Sequence, residues 1–226
     1  RSFTSRSGSA DVLEALGVRI DLTAERMGEI LAEEGIVFMF APLLHPAMRH
    51  VGPVRRGLGI TTVMNILGPL TNPAGALRQV MGVADPRLLD LVAGALAELG
   101  QERAMVVHGA PGMDEISPCG PTRVVELRDG RILRWETSPV ELGLEQAPVE
   151  ALAGGDPEAN ARIIRGVLDG DAGAPRDATL LNAAAAICVA GNAGTLIEGM
   201  ARAAASVDEG RARDALDRLR RATRRG

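Results

Sequence analysis

Asp114 and Glu115 stand side by side in the stretch MVVHGAPGMDEIS, directly before Ile116 and Ser117. They follow a loop with two glycines, Gly109 and Gly112, which itself follows the apolar run AMVV. In a strand, adjacent side chains point to opposite faces, and in a helix they diverge by roughly 100°. Neither geometry suits the facing carboxylates of a glycosidase acid/base pair. Two readings remain. Acidic residues favour the start of a helix by complementing its dipole. Alternatively, hard oxygen ligands on a loop beyond a strand end fit Mg²⁺, a metal that keeps waters and bridges phosphates.

Other stretches carry similar double readings. The opening RSFTSRSGSAD is rich in hydroxyls and glycine and precedes a helical pattern, so it fits a phosphate cradle or a capped helix start. His45 heads the segment HPAMRHVGPVRRGLG, with Met48 three residues on and Arg55 and Arg56 beyond. That spacing puts His45 and Met48 on one helical face, but taken alone it favours a capping histidine and one solvated arginine. NILGPLTNPAG carries Gly and Pro at intervals that a plain helix does not tolerate, which reads as a shaped loop. The C-terminal RDALDRLRRATRRG is basic at its end, as a helix terminus prefers, and Asp214 and Asp217 dilute it as a nucleic-acid surface.

The elements that must position these residues follow from pattern. A helix is expected over ADVLEALG, capped by Ser7 or Ser9 and ended at Gly17, and another over AERMGEILAEEG, capped by Thr23, with Met27, Ile30 and Leu31 as its apolar stripe. IVFMFA, Ile36 to Ala41, reads as a buried parallel strand. HPAMRHVGPVRRGLG predicts a helix entered at Pro46 and kinked or divided at Pro53, and TTVMNILGPLTNPAG a short helix broken at Gly68–Pro69. QVMGVA and AMVVHG read as strands flanking a helix from Pro86 to Leu99, and TRVVELRDGRILRWET as a hairpin turning at Asp129–Gly130. The remainder is helical, with Asp156 as a cap. Strand and helix alternation predicts an α/β fold with a mixed, mostly parallel sheet flanked by helices.

Composition narrows the class. The chain has 226 residues, 46% hydrophobic, with a net charge of -4 and a pI near 5.5, so a sizeable core is available and no bulk basicity recruits nucleic acid or acidic lipid. All 25 basic residues are Arg, which reads as compositional bias. Cys119 and Cys188 lack metal-type spacing; one disulfide is conceivable, and two free thiols in a reducing cytosol are expected. The small-apolar run LLNAAAAICVAG is too short to span a bilayer. With no secretory leader legible, a cytoplasmic protein is expected.

The stretches SRSGSADVLEALGV, FAPLLHPAMRHVGPVRRGLGITTVMNILGPLTNPAG and VVHGAPGMDEISP, taken in order, resemble the anthranilate phosphoribosyltransferase family, class IV phosphoribosyltransferases related to the pyrimidine nucleoside phosphorylases. LNAAAAICVAG also matches the family's C-terminal helices, and the resemblance covers essentially the whole chain. It implies transfer of a phosphoribosyl group from phosphoribosyl pyrophosphate to anthranilate, with Mg²⁺ as cofactor and a homodimer as the assembly. By position, Asp114 and Glu115 would hold Mg²⁺ on the pyrophosphate. Arg1, Ser2, Phe3, Thr4 and Ser5, with Ser9, would lie on the phosphoribosyl pyrophosphate loop. Arg55 would meet the anthranilate carboxylate, and Pro42, His45 and Met48 would line its entry channel; Met48 stands where some relatives place an aromatic residue. No residue is assigned as a catalytic acid or base.

The family's helical N-terminal region, its GTGGD pyrophosphate loop and its KHGN segment have no counterpart here, and the sequence opens on Arg1 rather than Met. The expectation is one α/β domain over residues 1–226 that does not act alone. Rival expectations are a pyrimidine nucleoside phosphorylase, which HPAMRHVGPVRR speaks against, a relative repurposed for nucleic acid, which the net charge speaks against, and an inert domain that pairs with a separate chain.

Overall fold

The computed structural model describes residues 7–44, 67–68 and 70–225. The helix expected to start at Pro46 and bend at Pro53 lies outside them. The chain forms two compact units: residues 1–65, 154–170 and 207–226, and residues 66–153 and 171–206.

The described part of the first unit is helical. Helix α1, Ser9–Ala15, has Gly8 rather than a serine at its N-cap, and the Gly8 N–H is donated to the Asp11 carboxylate 3.1 Å away. The serine cap expected here is absent, and Asp11 supplies only the reciprocal bond, accepting from the N-cap N–H. Gly17, in the left-handed region at φ 88°, stops the helix where expected. Helix α2, Ala24–Glu34, is capped by Thr23, whose hydroxyl accepts from the Arg26 N–H, and ends at Gly35. Beyond it the expected strand is absent: residues 36–40 form no ladder, and Ala41–Leu44 is a short helix, α3. Val37 and Met39 cover a core of Val18, Leu22, Met27, Ile30, Leu219 and Ala222. The apolar run is thus spent on a helical surface rather than in a sheet.

Two later helices, α5, Pro157–Leu168, and α8, Arg211–Arg224, complete this unit. Asp156 caps α5 through the Ala159 N–H, as expected. Val12 of α1 and Leu16 at its C-cap bury Ala161 of α5. Arginines satisfy helix-end carbonyls across these contacts: Arg165 donates to Ala15 O at 2.9 Å, Arg224 to Gly17 O at 3.0 Å and Arg26 to Ala222 O at 3.0 Å. The last four carbonyls of a helix lack intrahelical partners, so some of the arginine content has a structural use.

Residues 67, 68 and 70 are helical, with the Thr71 N–H donated to Leu67 O; the break expected at Gly68–Pro69 involves a residue outside the described ones. The second unit holds a four-stranded sheet in the order β1-β2-β3-β4: Arg78–Gly82, Arg103–Gly109, Thr122–Arg128 and Arg131–Thr137. The sheet is mixed, as expected, but among the described strands only β1–β2 is parallel, with Gly82 opposite Val107; β2–β3 and β3–β4 are antiparallel. A parallel pair requires a crossover, and helix α4, Leu89–Glu98, supplies one between β1 and β2. No helix separates β2 from β3 or β3 from β4. The β3–β4 turn has Asp129 and Gly130 at φ 52° and 71°, as the dipeptide predicts.

Both faces of the sheet are covered. Val92, Ala93 and Leu96 of α4 pack on Met81, Ala104, Val106, Val125 and Leu127. Leu181, Ala184, Ala185 and Cys188 of helix α6, Ala174–Val189, pack on Met105, Val107 and Val124. The alanine run of α6 lets helix α7, Leu196–Asp208, come close, since a Cβ built on Gly199 would fall 2.8 Å from the Ala184 carbonyl oxygen. Among the described residues no helix is long and apolar enough to cross a membrane, and both cysteines are free and buried.

The stripe expected on α2 divides by burial: Ile30 is 0% exposed and Leu31 42%. Ile30→Ala should therefore cost about 2–5 kcal/mol, by lost burial plus a cavity, while Leu31→Ala should cost under about 1 kcal/mol. Urea unfolding of both variants checks this, and equal losses would contradict the packing described.

Candidate metal and substrate site

Strands β1 and β2 run parallel, so their carboxyl ends lie on one edge of the sheet, the edge where open α/β sheets bind ligands. The chain leaving β2 returns across that edge. A Cβ added to Gly82, the last residue of β1, would fall 1.5 Å from the Asp114 carbonyl oxygen. One added to Gly109, the last of β2, would fall 2.5 Å from the Glu115 carbonyl oxygen and 2.6 Å from the Ser117 Cβ. Real side chains never approach so closely, so glycine at both strand ends is what allows residues 114–117 to lie on the sheet edge.

The loop is then tied down. The Gly109 and Met113 backbones exchange hydrogen bonds at 2.9 and 2.7 Å. The Ser117 N–H is donated to the Thr122 hydroxyl at 3.0 Å, the Ser117 hydroxyl to the Ala110 carbonyl, and the Cys119 N–H to Ser117 Oγ at 3.0 Å. Ile116 is 1% exposed and enters the core beneath α6. Its N–H meets Asn182 Oδ1 at 2.9 Å and its carbonyl meets Asn182 Nδ2 at 3.0 Å. At the end of β2, His108 Nδ1 lies 2.8 Å from the Val83 carbonyl oxygen, which fixes the proton on that nitrogen.

Asp114 and Glu115 sit in a bend, not in a strand or at a helix start, and both are exposed. The helix-dipole reading of the pair therefore has no helix to act on. Nor do the side chains part as they would in regular structure: the two carboxyl groups interact. Glu115 is held above the ordinary glutamate range, first by partial desolvation, then by the negative charge of Asp114 and a hydrogen bond with it. No cation among the described residues offsets that repulsion.

This donor set fits Mg²⁺. The described residues contain no cluster of three or more His, Cys, Asp or Glu side chains able to hold a metal, and Mg²⁺ is commonly held by one or two carboxylates with waters and phosphates completing its octahedron. A cleft of about 620 Å³ lies elsewhere, at the amino ends of β1 and β2. Its arginines are engaged within the fold: Arg78 with Glu102 and the Ala190 carbonyl, Arg103 with Glu126.

Of the other expected site residues, Ser9 is the exposed first residue of α1 and Pro42 an exposed residue of α3, both in the first unit. Arg1 to Ser5, His45, Met48 and Arg55 lie outside the described residues. Gly82, Gly109, Ser117 and Asn182 were not anticipated. The glycines carry a legible signal, each closing an apolar strand run, but their partners do not announce themselves in the local pattern.

The sequence profile of the glycosyl transferase family, a/b domain, matches residues 1–213. The chain belongs to this family. Within the family it is 51% identical over 225 residues to the anthranilate phosphoribosyltransferase of Symbiobacterium thermophilum, covering all of this chain and 66% of that one. The crystal structure of anthranilate phosphoribosyltransferase from Thermus thermophilus superposes with a TM-score of 0.93 at 47% identity, over 100% of this chain and 67% of that one. The Saccharomyces cerevisiae anthranilate phosphoribosyltransferase, solved with PRPP and Mg and also with 4-fluoroanthranilate, covers 96% of this chain and 63% of its own, with a TM-score of 0.88 and 30% or 29% identity. The chain thus spans about two thirds of the length of these relatives.

The raised Glu115 predicts a pH-dependent stability effect. Folding favours its protonated form, so ionised Glu115 carries a penalty that is absent below the unfolded value of about 4.3 and complete above the folded one. Without metal, Glu115→Gln should raise the melting temperature at pH 7, and the gain should disappear near pH 4. Melting curves at the two pH values test it; an equal gain at both would contradict the charge repulsion.

Proposed function

We propose that this chain carries out, or forms part of a protein that carries out, anthranilate phosphoribosyl transfer: the anomeric carbon of phosphoribosyl pyrophosphate is joined to the amine of anthranilate, with release of pyrophosphate. The observation that carries the reading is the adjacent carboxylate pair, held on the carboxyl edge of the sheet with no cation among the described residues to offset it. The names and bound molecules of the relatives support it: the yeast enzyme was solved with PRPP and Mg and with an anthranilate analogue.

In this reading Asp114 and Glu115 hold Mg²⁺. Bound there, the ion would neutralise charge on the departing pyrophosphate. Gly82 and Gly109 allow the carboxylates onto the sheet edge, and Ser117 with Thr122 restrains the loop behind them. A preorganised loop needs little rearrangement as charge develops. Anthranilate's aromatic amine is neutral and nucleophilic, so no side chain is assigned to remove a proton before attack. Arg1 to Ser5 with Ser9 are proposed to bind phosphoribosyl pyrophosphate. Arg55 is proposed to pair with the anthranilate carboxylate beside Pro42, His45 and Met48. The assembly is proposed to be a cytoplasmic homodimer.

Two experiments test this reading. The double variant Asp114→Ala with Glu115→Ala should lose at least about 10²-fold in Mg²⁺-dependent turnover, the scale of removing one preorganised stabilising group, while keeping its circular dichroism. A near-normal rate at saturating Mg²⁺ would refute the metal assignment. Arg55→Ala should raise the Michaelis constant for anthranilate at least about tenfold, as loss of a charge-assisted hydrogen bond worth about 1.5–3 kcal/mol implies. Phosphoribosyl pyrophosphate binding should be unchanged. Anthranilate fluorescence reports both results, and an unaltered constant would refute the pairing.

A further inference from the structure

Asn182 lies 66 positions beyond Ile116 in sequence, on α6, and both of its amide hydrogens are used. Nδ2 donates to Ala178 O, one turn back in its own helix, at 2.9 Å, and to Ile116 O at 3.0 Å. The Ala178 carbonyl can only accept, so the NH₂ must face it, and Oδ1 is left to receive the Ile116 N–H at 2.9 Å. The amide therefore reads both backbone groups of the residue that follows Glu115, as a neighbouring strand would. On the other side of the same short segment, Gly82 and Gly109 bring the Asp114 and Glu115 backbones against the sheet edge. The backbone of residues 114–116 is thus held both by close packing on the sheet edge and by the helix-borne Asn182 amide.

We infer that Asn182 is a positioning residue for the metal site: its two hydrogen bonds to Ile116 fix the backbone from which Asp114 and Glu115 present their carboxylates. The inference rests on the proposal that these two residues hold Mg²⁺. Asn182 is offered no contact with the ion. Its effect passes through the Ile116 backbone, as outer partners of metal ligands generally act. Helix α6 carries it on the same turns that bury Leu181, Ala184 and Ala185 against the sheet, so the clamp moves only if the core moves.

The test measures binding rather than turnover. The chain is titrated with Mn²⁺ as a paramagnetic stand-in, with inorganic pyrophosphate present; free Mn²⁺ is followed by electron paramagnetic resonance, and Mg²⁺ competition confirms a shared site. Asn182→Ala should weaken binding about 10- to 100-fold, the usual effect of removing an outer partner of a ligand, with far-ultraviolet circular dichroism unchanged. A role limited to stability would lower the melting temperature and leave the affinity of the folded variant untouched, and that result would overturn the inference. If Asn182→Ala does not fold, Asn182→Asp keeps the size and the acceptor for the Ile116 N–H but loses both donated bonds. Its added negative charge alone would tighten cation binding, so weaker binding reports displaced carboxylates, and equal or tighter binding overturns the inference. Wild-type chain that binds no Mn²⁺ would instead refute the metal assignment itself, and the positioning role with it. Wild-type binding with no loss in the variants refutes the positioning role alone.

Discussion

Ala104, Met105, Val106 and Val107 of β2 are each no more than 3% exposed. A strand buried on both faces can satisfy its N–H and C=O groups only through strands on either side. β1 and β3 provide those ladders, and α4 and α6 provide the two apolar covers. Removing any of the four would leave β2 with unpaired backbone or wet aliphatic surface, the latter at about 1.5–3 kcal/mol for each large side chain. The acidic loop inherits its position from this constraint, because it begins where β2 ends and returns as β3. Its carboxylates are thus set by a core rather than by a flexible connection.

That placement opposes local stability. Two adjacent carboxylates share one bend, and the fold raises Glu115 rather than relieving it. Around them, the loop's own polar groups are satisfied through Thr122, Ala110 and Asn182. The contrast is informative: backbone and hydroxyl groups are paired inward, while the charged groups are left accessible. A loop selected only for stability gains nothing from two like charges that no cation among the described residues offsets, whereas a site that receives a cation gains from them once the ion is present.

Periodicity and punctuation made much of the second unit, and two helix caps of the first, legible. The strands containing QVMGVA and AMVVHG, the intervening helix and the Asp129–Gly130 turn all follow from local chemistry, as do the Thr23 and Asp156 caps. IVFMFA was not legible, because a short apolar run fits a buried strand and a segment covering helices equally well; Val37 and Met39 belong to the second case. The antiparallel share of the sheet depended on recognising that residues 110–121 hold no crossover helix. Asp114 and Glu115 stood out as chemistry, but their bend conformation and mutual contact did not. Gly82 meets Asp114, and Asn182 meets Ile116, across long stretches of sequence, and Gly109 meets Glu115 through close packing within a folded-back loop. No local pattern encodes any of the three.

A second glutamate in the same sheet shows how environment separates a structural acid from a ligand-binding one. Glu126 of β3 has a side chain only 6% exposed. One oxygen accepts from Arg103 Nη2 at 3.1 Å and the other from Trp135 Nε1 at 3.2 Å. A buried charge must be paired and hydrogen-bonded to persist, and here both oxygens are committed within the protein. The charge of Glu126 is thus paired with Arg103 inside the fold. Glu115 is the converse. It is accessible, it has no basic partner among the described residues, and its nearest charged neighbour is another carboxylate. Burial alone would have singled out Glu126 as the unusual residue. Counting the partners of each carboxylate points instead to Glu115, where no basic group among the described residues takes up the negative charge.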